Sequence, residues 1–430
     1  MSLLYVFIGV LIVLFLIGTP IPWAVGLTSV AVMLIDGNFT LVTIGTIAQK
    51  TVAGTNNFTL LAIPFFLLAA KLMNAGSITK KIFSFANSLV GWIPGGLGHA
   101  NVVASIIFAG MSGAAVADAS GLGTIEVEAM KNEGFDLDFS AAVTAASSTI
   151  GPIIPPSIPL VMFGVAGGVS ISKLLIAGLL PGILMGFLMM VVVFILAEIR
   201  KYPKRALPKL KEFLKLAYDA FFPMLTPIIL IGGIILGIFT PTEAAAVAAL
   251  YAFILTVFIY RELSAKDIYE VLKEVARETA AIMIIVATSN LFGYLLIKSQ
   301  IPNQIIVALM NFTQSKVILL LLINVFLLVV GCFMETNAAI LILTPILLPI
   351  TNALGVDPVQ MGVVVVLNLM IGLLTPPIGM VLFATSRVAK VSIERIVIAL
   401  KPFYVVLVLA LMLVTFVPQL SLFVPNLLLK

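Results

Sequence analysis

A single histidine, His99, and a single cysteine, Cys332, are all the thiol and imidazole chemistry that 430 residues carry. A histidine- or cysteine-based zinc centre, a Ser/His/Asp triad and an internal disulfide therefore have nothing to be built from. Charge is scarce too, at 10% of residues, and no G-x-x-x-x-G-K-[ST] loop occurs, so ATP bound by this chain is not its fuel. In their place stands hydrocarbon: 61% of residues are hydrophobic and the mean hydropathy is +1.23. Soluble globules do not have that composition. Apolar runs of about 17 to 20 residues recur, enough to cross a hydrocarbon core of about 30 Å, and they lack the alternation of a membrane barrel. The chain reads as an all-α polytopic membrane protein. Its net charge of +5 belongs to loop topology and not to nucleic acid. The first apolar run, 3–17, has no basic start and reads as a retained helix.

The stretch 145–165, AASSTIGPIIPPSIPLVMFGV, breaks that pattern, because Pro152, Pro155, Pro156 and Pro159 each remove a backbone donor. Its flanks are apolar enough for lipid, where unpaired backbone costs several kcal/mol. Such backbone persists only inside protein or beside a polar cavity. The arrangement returns at 366–383, VLNLMIGLLTPPIGMVLF, with Gly151 matching Gly372 and Pro155-Pro156 matching Pro376-Pro377, all 221 residues apart. The same offset relates Thr19-Pro20 to Thr240-Pro241, Gly134 and Asp136 to Gly355 and Asp357, and Pro181 to Pro402. Paired interruptions of this kind mark the binding site of a secondary transporter built from repeats.

Crossing helices are expected at 2–17, 22–36, 58–74 and 174–199, with an amphipathic piece at 77–90, a hairpin of arms 99–111 and 114–130, and a broken helix at 138–165. The second half repeats this with 222–239, 243–260, 279–297 and 399–424, the piece 302–313, the hairpin 317–333 and 337–351, and the broken helix 358–385. Each half then has five crossings and one re-entrant hairpin, and the odd count inverts the second half. With the N-terminus outside, 19 of the 24 Lys and Arg fall on the inner face, and only Lys50, Lys173, Lys298, Lys316 and Lys430 fall outside. The positive-inside rule therefore puts both termini outside. The basic connection 200–220 reads either as a segment lying on anionic membrane lipid or as a solvated loop.

Carboxylates within apolar segments are expensive and are functional candidates. Asp118, just past the first hairpin tip, and Glu335, at the second, occupy corresponding places. Tip residues Ser112, Gly113, Thr336 and Asn337 are expected to face the broken backbones at Ile150-Gly151 and Ile371-Gly372. Hydroxyl, amide and carbonyl oxygens suit an alkali cation, and half-helix N-termini favour an anionic group. The competing reading of Ser147, Ser148 and Thr149 is plain helix packing. Glu243, beside Pro241, reads as an N-terminal dipole partner.

The runs FAGMSGAAVADASGLGT, STIGPIIPPSIPLVMFG, METNAAILILTPILLPI and GLLTPPIGM closely resemble the large membrane subunit of TRAP (tripartite ATP-independent periplasmic) transporters, over essentially the whole chain. The resemblance implies a sodium-driven importer of organic acids in a bacterial or archaeal inner membrane. Such a subunit works with a small four-helix membrane subunit and a soluble periplasmic substrate-binding protein. It also implies an elevator in which 97–165 and 316–385 move against a scaffold of 1–96, 166–315 and 386–430. The first sodium site would comprise Ser112, Gly113, Asp118, Ile150 and Gly151, and the second Glu335, Thr336, Asn337, Gly372 and Thr375. Substrate would meet Ser112, Asp118, Pro152, Pro156, Ser157, Thr375 and Pro376, with Ala114 standing where the family commonly has serine. A related transporter or antiporter without a binding protein is the alternative. A membrane hydrolase lacks both a base and an H-E-x-x-H run.

Overall fold

The computed structural model describes residues 2–35, 41–74 and 77–429. The last residue of the expected 22–36 helix and Lys430 lie outside these. All regular structure among the described residues is helical, and seven helices are long and apolar enough to cross a membrane, or eight if one bent pair counts as a span.

The first half runs α1 (Ser2–Leu16), α2 (Ile21–Ile35), α3 (Leu41–Thr55), α4 (Ala62–Asn74), α5 (Ile78–Val90), α6 (Gly96–Ser112), α7 (Ala115–Ser120), α8 (Leu122–Asn132), α9 (Leu137–Ser148), α10 (Ile158–Gly167), α11 (Ile171–Ala177) and α12 (Leu179–Arg200). The sequence reading left α3 out, because its Thr, Gln49 and Lys50 dilute the apolar signal. It is a helix all the same, meeting 58–74 at a 50° bend and packing on the long second-half helix that faces it. The expected single arm 114–130 is split at Gly121, and the expected 174–199 helix is split at Gly178. Gly178 has no room for a side chain, since a Cβ there would strike the Ile153 carbonyl of the broken segment.

The second half runs α13 (Leu210–Ile235), α14 (Pro241–Phe253), α15 (Ala265–Lys298), α16 (Ile301–Phe312), α17 (Lys316–Phe333), α18 (Thr336–Ala353), α19 (Pro358–Gly372), α20 (Met380–Ala389), α21 (Ile393–Phe416) and α22 (Gln419–Leu428). Two helices begin well before their apolar cores: α13 at 210 and not 222, α15 at 265 and not 279. Hydropathy stops at the first charges, but a helix does not. In α15, Ser264 and Asp267 form a reciprocal capping box that starts the helix among charged residues. The expected 399–424 helix is interrupted at Val417-Pro418.

Glu243 sits in a capping box at the head of α14: the Thr240 hydroxyl accepts from the Glu243 amide at 3.3 Å and the Glu243 carboxylate accepts from the Thr240 amide at 2.8 Å. Thr240→Ala should therefore lower stability by about 1 kcal/mol, read as a lower melting temperature in detergent. No change would mean that tertiary packing alone fixes this helix start.

The connection after α12 is partly docked. Arg200 and the Tyr202 hydroxyl reach Asp136 at 3.1 and 2.6 Å, Arg205 pairs with Glu133, and the Arg205 amide donates to the Gly91 carbonyl at 2.9 Å. Beyond it, α13 exposes Leu210, Leu214 and Tyr218 among Lys211 and Lys215, an amphipathic pattern.

Positions 221 apart have matching local structure. Both Pro155-Pro156 and Pro376-Pro377 are cis, and Gly134 and Gly355 both have positive φ just before the broken helices. Buried amides bridge the first hairpin arm to the broken helix in each half: Ser147 donates to Asn101 at 2.7 Å, and Asn368, its counterpart, donates to Asn324 at 2.9 Å.

Candidate functional site

The hairpins turn at Gly113 and at Met334-Glu335. Gly113, between α6 and α7, takes φ 65° and ψ 12°, a left-handed conformation that favours glycine. A side chain there would strike the Pro156 carbonyl, so the first tip lies directly on the first break. The second turn is extended at Met334 and Glu335, after which α18 begins. The breaks themselves are residues 149–157 and 373–379, left by α9/α10 and α19/α20.

These four irregular pieces converge on one cavity of about 650 Å³. It is lined by Gly113, Pro152, Glu335, Thr336 and Asn337 among the expected residues, and by Leu373 of the second break. Two helix starts open onto it, at Ile158-Pro159 and at Met380, and α15 closes its far wall with Glu278 and Ala281. A separate cavity of about 670 Å³ lies further along α15, where residues 286–297 face Lys50, Gly167 and Asn352.

Beside the first tip, Asp118 is 2% exposed and neither of its carboxylate oxygens has a hydrogen-bond partner. It packs against Gly151 so closely that a Cβ on that glycine would strike Oδ2. The Ser112 hydroxyl, also buried and without a completed bond, lies next to it. At the second tip, Thr336 Oγ1 and Asn337 Oδ1 are buried without partners, while Asn337 Nδ2 donates to Glu335 at 2.9 Å. Five buried oxygens in two groups, with the Ser112 hydroxyl the only donor beside the Asp118 carboxylate, suit hard cations.

Other expected residues do something else. Glu335 caps α18, accepting from the Ala338 amide at 3.0 Å. Ser157 is fully buried and caps α10: it accepts from the Leu160 amide at 3.1 Å and donates to the Pro152 carbonyl, so it does not line the cavity. The Ile150 carbonyl accepts the amides of Ile153 and Ile154, and Pro156 is buried with its carbonyl against Gly113. Thr375 donates to the Ile371 carbonyl at 2.9 Å, Pro376 is exposed, and Gly372 packs on Gly331. Ser147, Ser148 and Thr149 are spent on backbone and on Asn101, as the packing reading expects.

Sequence reasoning missed Glu126, a 1% exposed carboxylate on α8 whose Oε1 has no partner and which neighbours Asp118 and Thr144. Its signal was present: eight residues from Asp118, it lies about two helical turns along the same arm. It also missed the ion pairs of Lys71 on α4 with Glu274 and Glu278 of α15, at 2.9 and 2.8 Å. No group of three metal-binding His, Cys, Asp or Glu side chains occurs among the described residues.

The fold resembles a solved structure, the YdaH transporter of Alcanivorax borkumensis, with a TM-score of 0.61 over 87% of each chain at 14% identity. Among relatives, the sialic acid TRAP transporter large permease SiaM of Vibrio cholerae is 43% identical over 380 residues, 88% of this chain and 89% of that one. The C4-dicarboxylate large permease DctM of Pseudomonas aeruginosa is 39% identical over the same shares. The 2,3-diketo-L-gulonate large permease YiaN of Escherichia coli is 38% identical over 96% of this chain and 97% of that one. The family described as "Tripartite ATP-independent periplasmic transporter, DctM component" matches residues 8–420. The chain belongs to that family: it is the large permease component of a TRAP transporter, a membrane-embedded transport subunit and not an enzyme.

Proposed function

We propose that this large permease imports an organic acid down a sodium gradient, receiving it from a periplasmic binding protein and working with a small four-helix membrane subunit. The observation that carries the reading is the convergence of two hairpin tips and two helix breaks on one cavity beside five buried oxygens without partners. Ser112 and Asp118 would hold one ion with the backbone at Gly151; Thr336 and Asn337 would hold the second near Gly372 and Thr375. A bound sodium ion supplies the positive charge that Asp118 lacks. The helix start at Met380 would present amide donors to an acid group in the cavity, whereas at α10 only the Ile158 amide remains, since Pro159 has none and Ser157 takes that of Leu160. Relatives named for sialic acid, C4-dicarboxylates and diketogulonate make a small carboxylate the expected cargo.

The matched local structure 221 residues apart supports two inverted repeats moving as an elevator, with both termini periplasmic in an inner membrane. The moving body is centred on 97–165 and 316–385. The sequence reading left α12 and α21 in the scaffold, but α12 packs on α6 and α9, α21 packs on α9 and α19, and Arg395 of α21 reaches Asp138 at 2.9 Å. That packing favours carrying them with the hairpins. The amphipathic start of α13 would rest on lipid.

Uptake of labelled sialate and of a C4-dicarboxylate into vesicles bearing the three reconstituted components tests the reading. A sodium gradient should drive accumulation of at least one of them. Equal uptake with and without the gradient rejects sodium coupling.

A further inference from the structure

The first hairpin has a second cavity on its other side. This one, of about 630 Å³, is walled by Glu262, Asp267, Glu270, Glu274 and Glu278 with one ammonium, Lys71. It shares Leu67, Ala114 and Glu278 with the central cavity, so the two meet at a neck. Lys71 stands at that neck, held by Glu274 and Glu278. Outside the wall, Lys81 approaches Glu262 at 3.8 Å and Lys273 approaches Glu270 at 3.5 Å. Five carboxylates against these three ammonium groups leave the wall with a net charge of −2.

An acidic wall alone is an ordinary solvated surface. Here it leads to Ser112, which is 2% exposed, has a hydroxyl without a partner and lines this cavity and not the central one. Ser112 lies next to Asp118, whose oxygens are likewise without partners. The hairpin thus presents two chemistries. Val116 and Ala115 face the central, largely apolar cavity, and Ala117 and Ser112 face the acidic one.

We propose that sodium and the organic acid use separate openings: the acidic cavity is the cation's route between Ser112 and Asp118 and the side that the basic loops assign to the cytoplasm, and the central cavity is the acid's. The inference rests on the sodium-coupled reading above and adds a path to it. A negative wall in a cleft raises the local concentration of cations and excludes anions. An acid leaving beside the ions would meet five carboxylates; leaving by the central cavity it meets few.

Two measurements decide it. Cys332 is buried, so the native chain provides a low-background control for Ala117→Cys and Val116→Cys, both at exposed positions. Each is reacted with a cationic trimethylammonium and an anionic sulfonate methanethiosulfonate. The cation-to-anion rate ratio should be about tenfold higher at position 117 than at 116, and Glu270→Gln with Glu274→Gln should erase most of the difference. Equal ratios at the two positions overturn the proposal, whatever drives transport. In vesicles, the same two neutralisations should weaken inhibition by internal sodium several-fold. Unaltered inhibition with sodium-driven uptake intact rejects the route alone; uptake indifferent to sodium in the unmodified protein rejects the reading beneath it as well.

Discussion

Asp118→Asn is expected to raise the sodium concentration for half-maximal uptake by a hundredfold or more. The side chain is buried, both oxygens lack partners, and Gly151 leaves no space on one side. Removing one partner of a buried charge pair costs about 3 kcal/mol or more, which is about a hundredfold in affinity. Asparagine keeps the volume and one oxygen, so packing is preserved and the missing charge is what the titration reads. Ser112→Ala removes a neutral ligand and should cost about tenfold or less. A sodium titration of uptake, paired with sodium binding to the purified protein, checks both. If Asp118→Asn keeps the original half-saturation, sodium is not held at this hairpin.

Gly372→Ala should be the most destabilising small substitution in the second half. Its added methyl would meet the Gly331 backbone on α17 at 2.5 Å, and a methyl added at Gly331 would in turn meet the Gly372 backbone at 3.0 Å. Backbone cannot rotate away as a side chain can. Forcing α17 from α19 should cost about 2 kcal/mol or more and would also shift the second tip. Gly232→Ala is the matched control: it lies in α13 with nothing within 4 Å of the new methyl, so helix propensity should make it neutral or stabilising by up to about 1 kcal/mol. Thermal unfolding in detergent should separate the two by several degrees. Coincident curves would mean that α17 and α19 do not touch at these glycines.

The interruptions at 149–157 and 373–379 were legible because proline acts locally: a missing donor is missing in every environment. The hairpin tips were legible for a similar reason, through Gly113 and through polar Thr336 and Asn337 in apolar surroundings. Helix ends fared worse wherever length outran hydrophobicity. α3 with Gln49 and Lys50, and the first fourteen residues of α15, are helical through packing and capping that no hydropathy window senses. The splits at Gly121 and Gly178 depend on what stands opposite: Asn74 for the first, the Ile153 carbonyl for the second. Such neighbours come from distant segments. Ser157 illustrates the limit within the site, because its type and place suggest a ligand contact, whereas its hydroxyl is used up holding the head of α10.

α15 runs 34 residues with no proline, which at 1.5 Å per residue is about 51 Å of unbroken rod. The central cavity touches it over 278–285 and the far cavity over 286–297. The midpoints of those two intervals are about ten residues apart, or about 15 Å along the rod axis. If the proposed elevator hands its cargo from one chamber to the other, its stroke is of about that length, half the thickness of the hydrocarbon layer. A spacer or crosslink that shortens this travel by a few ångströms would leave the passenger stranded between stations.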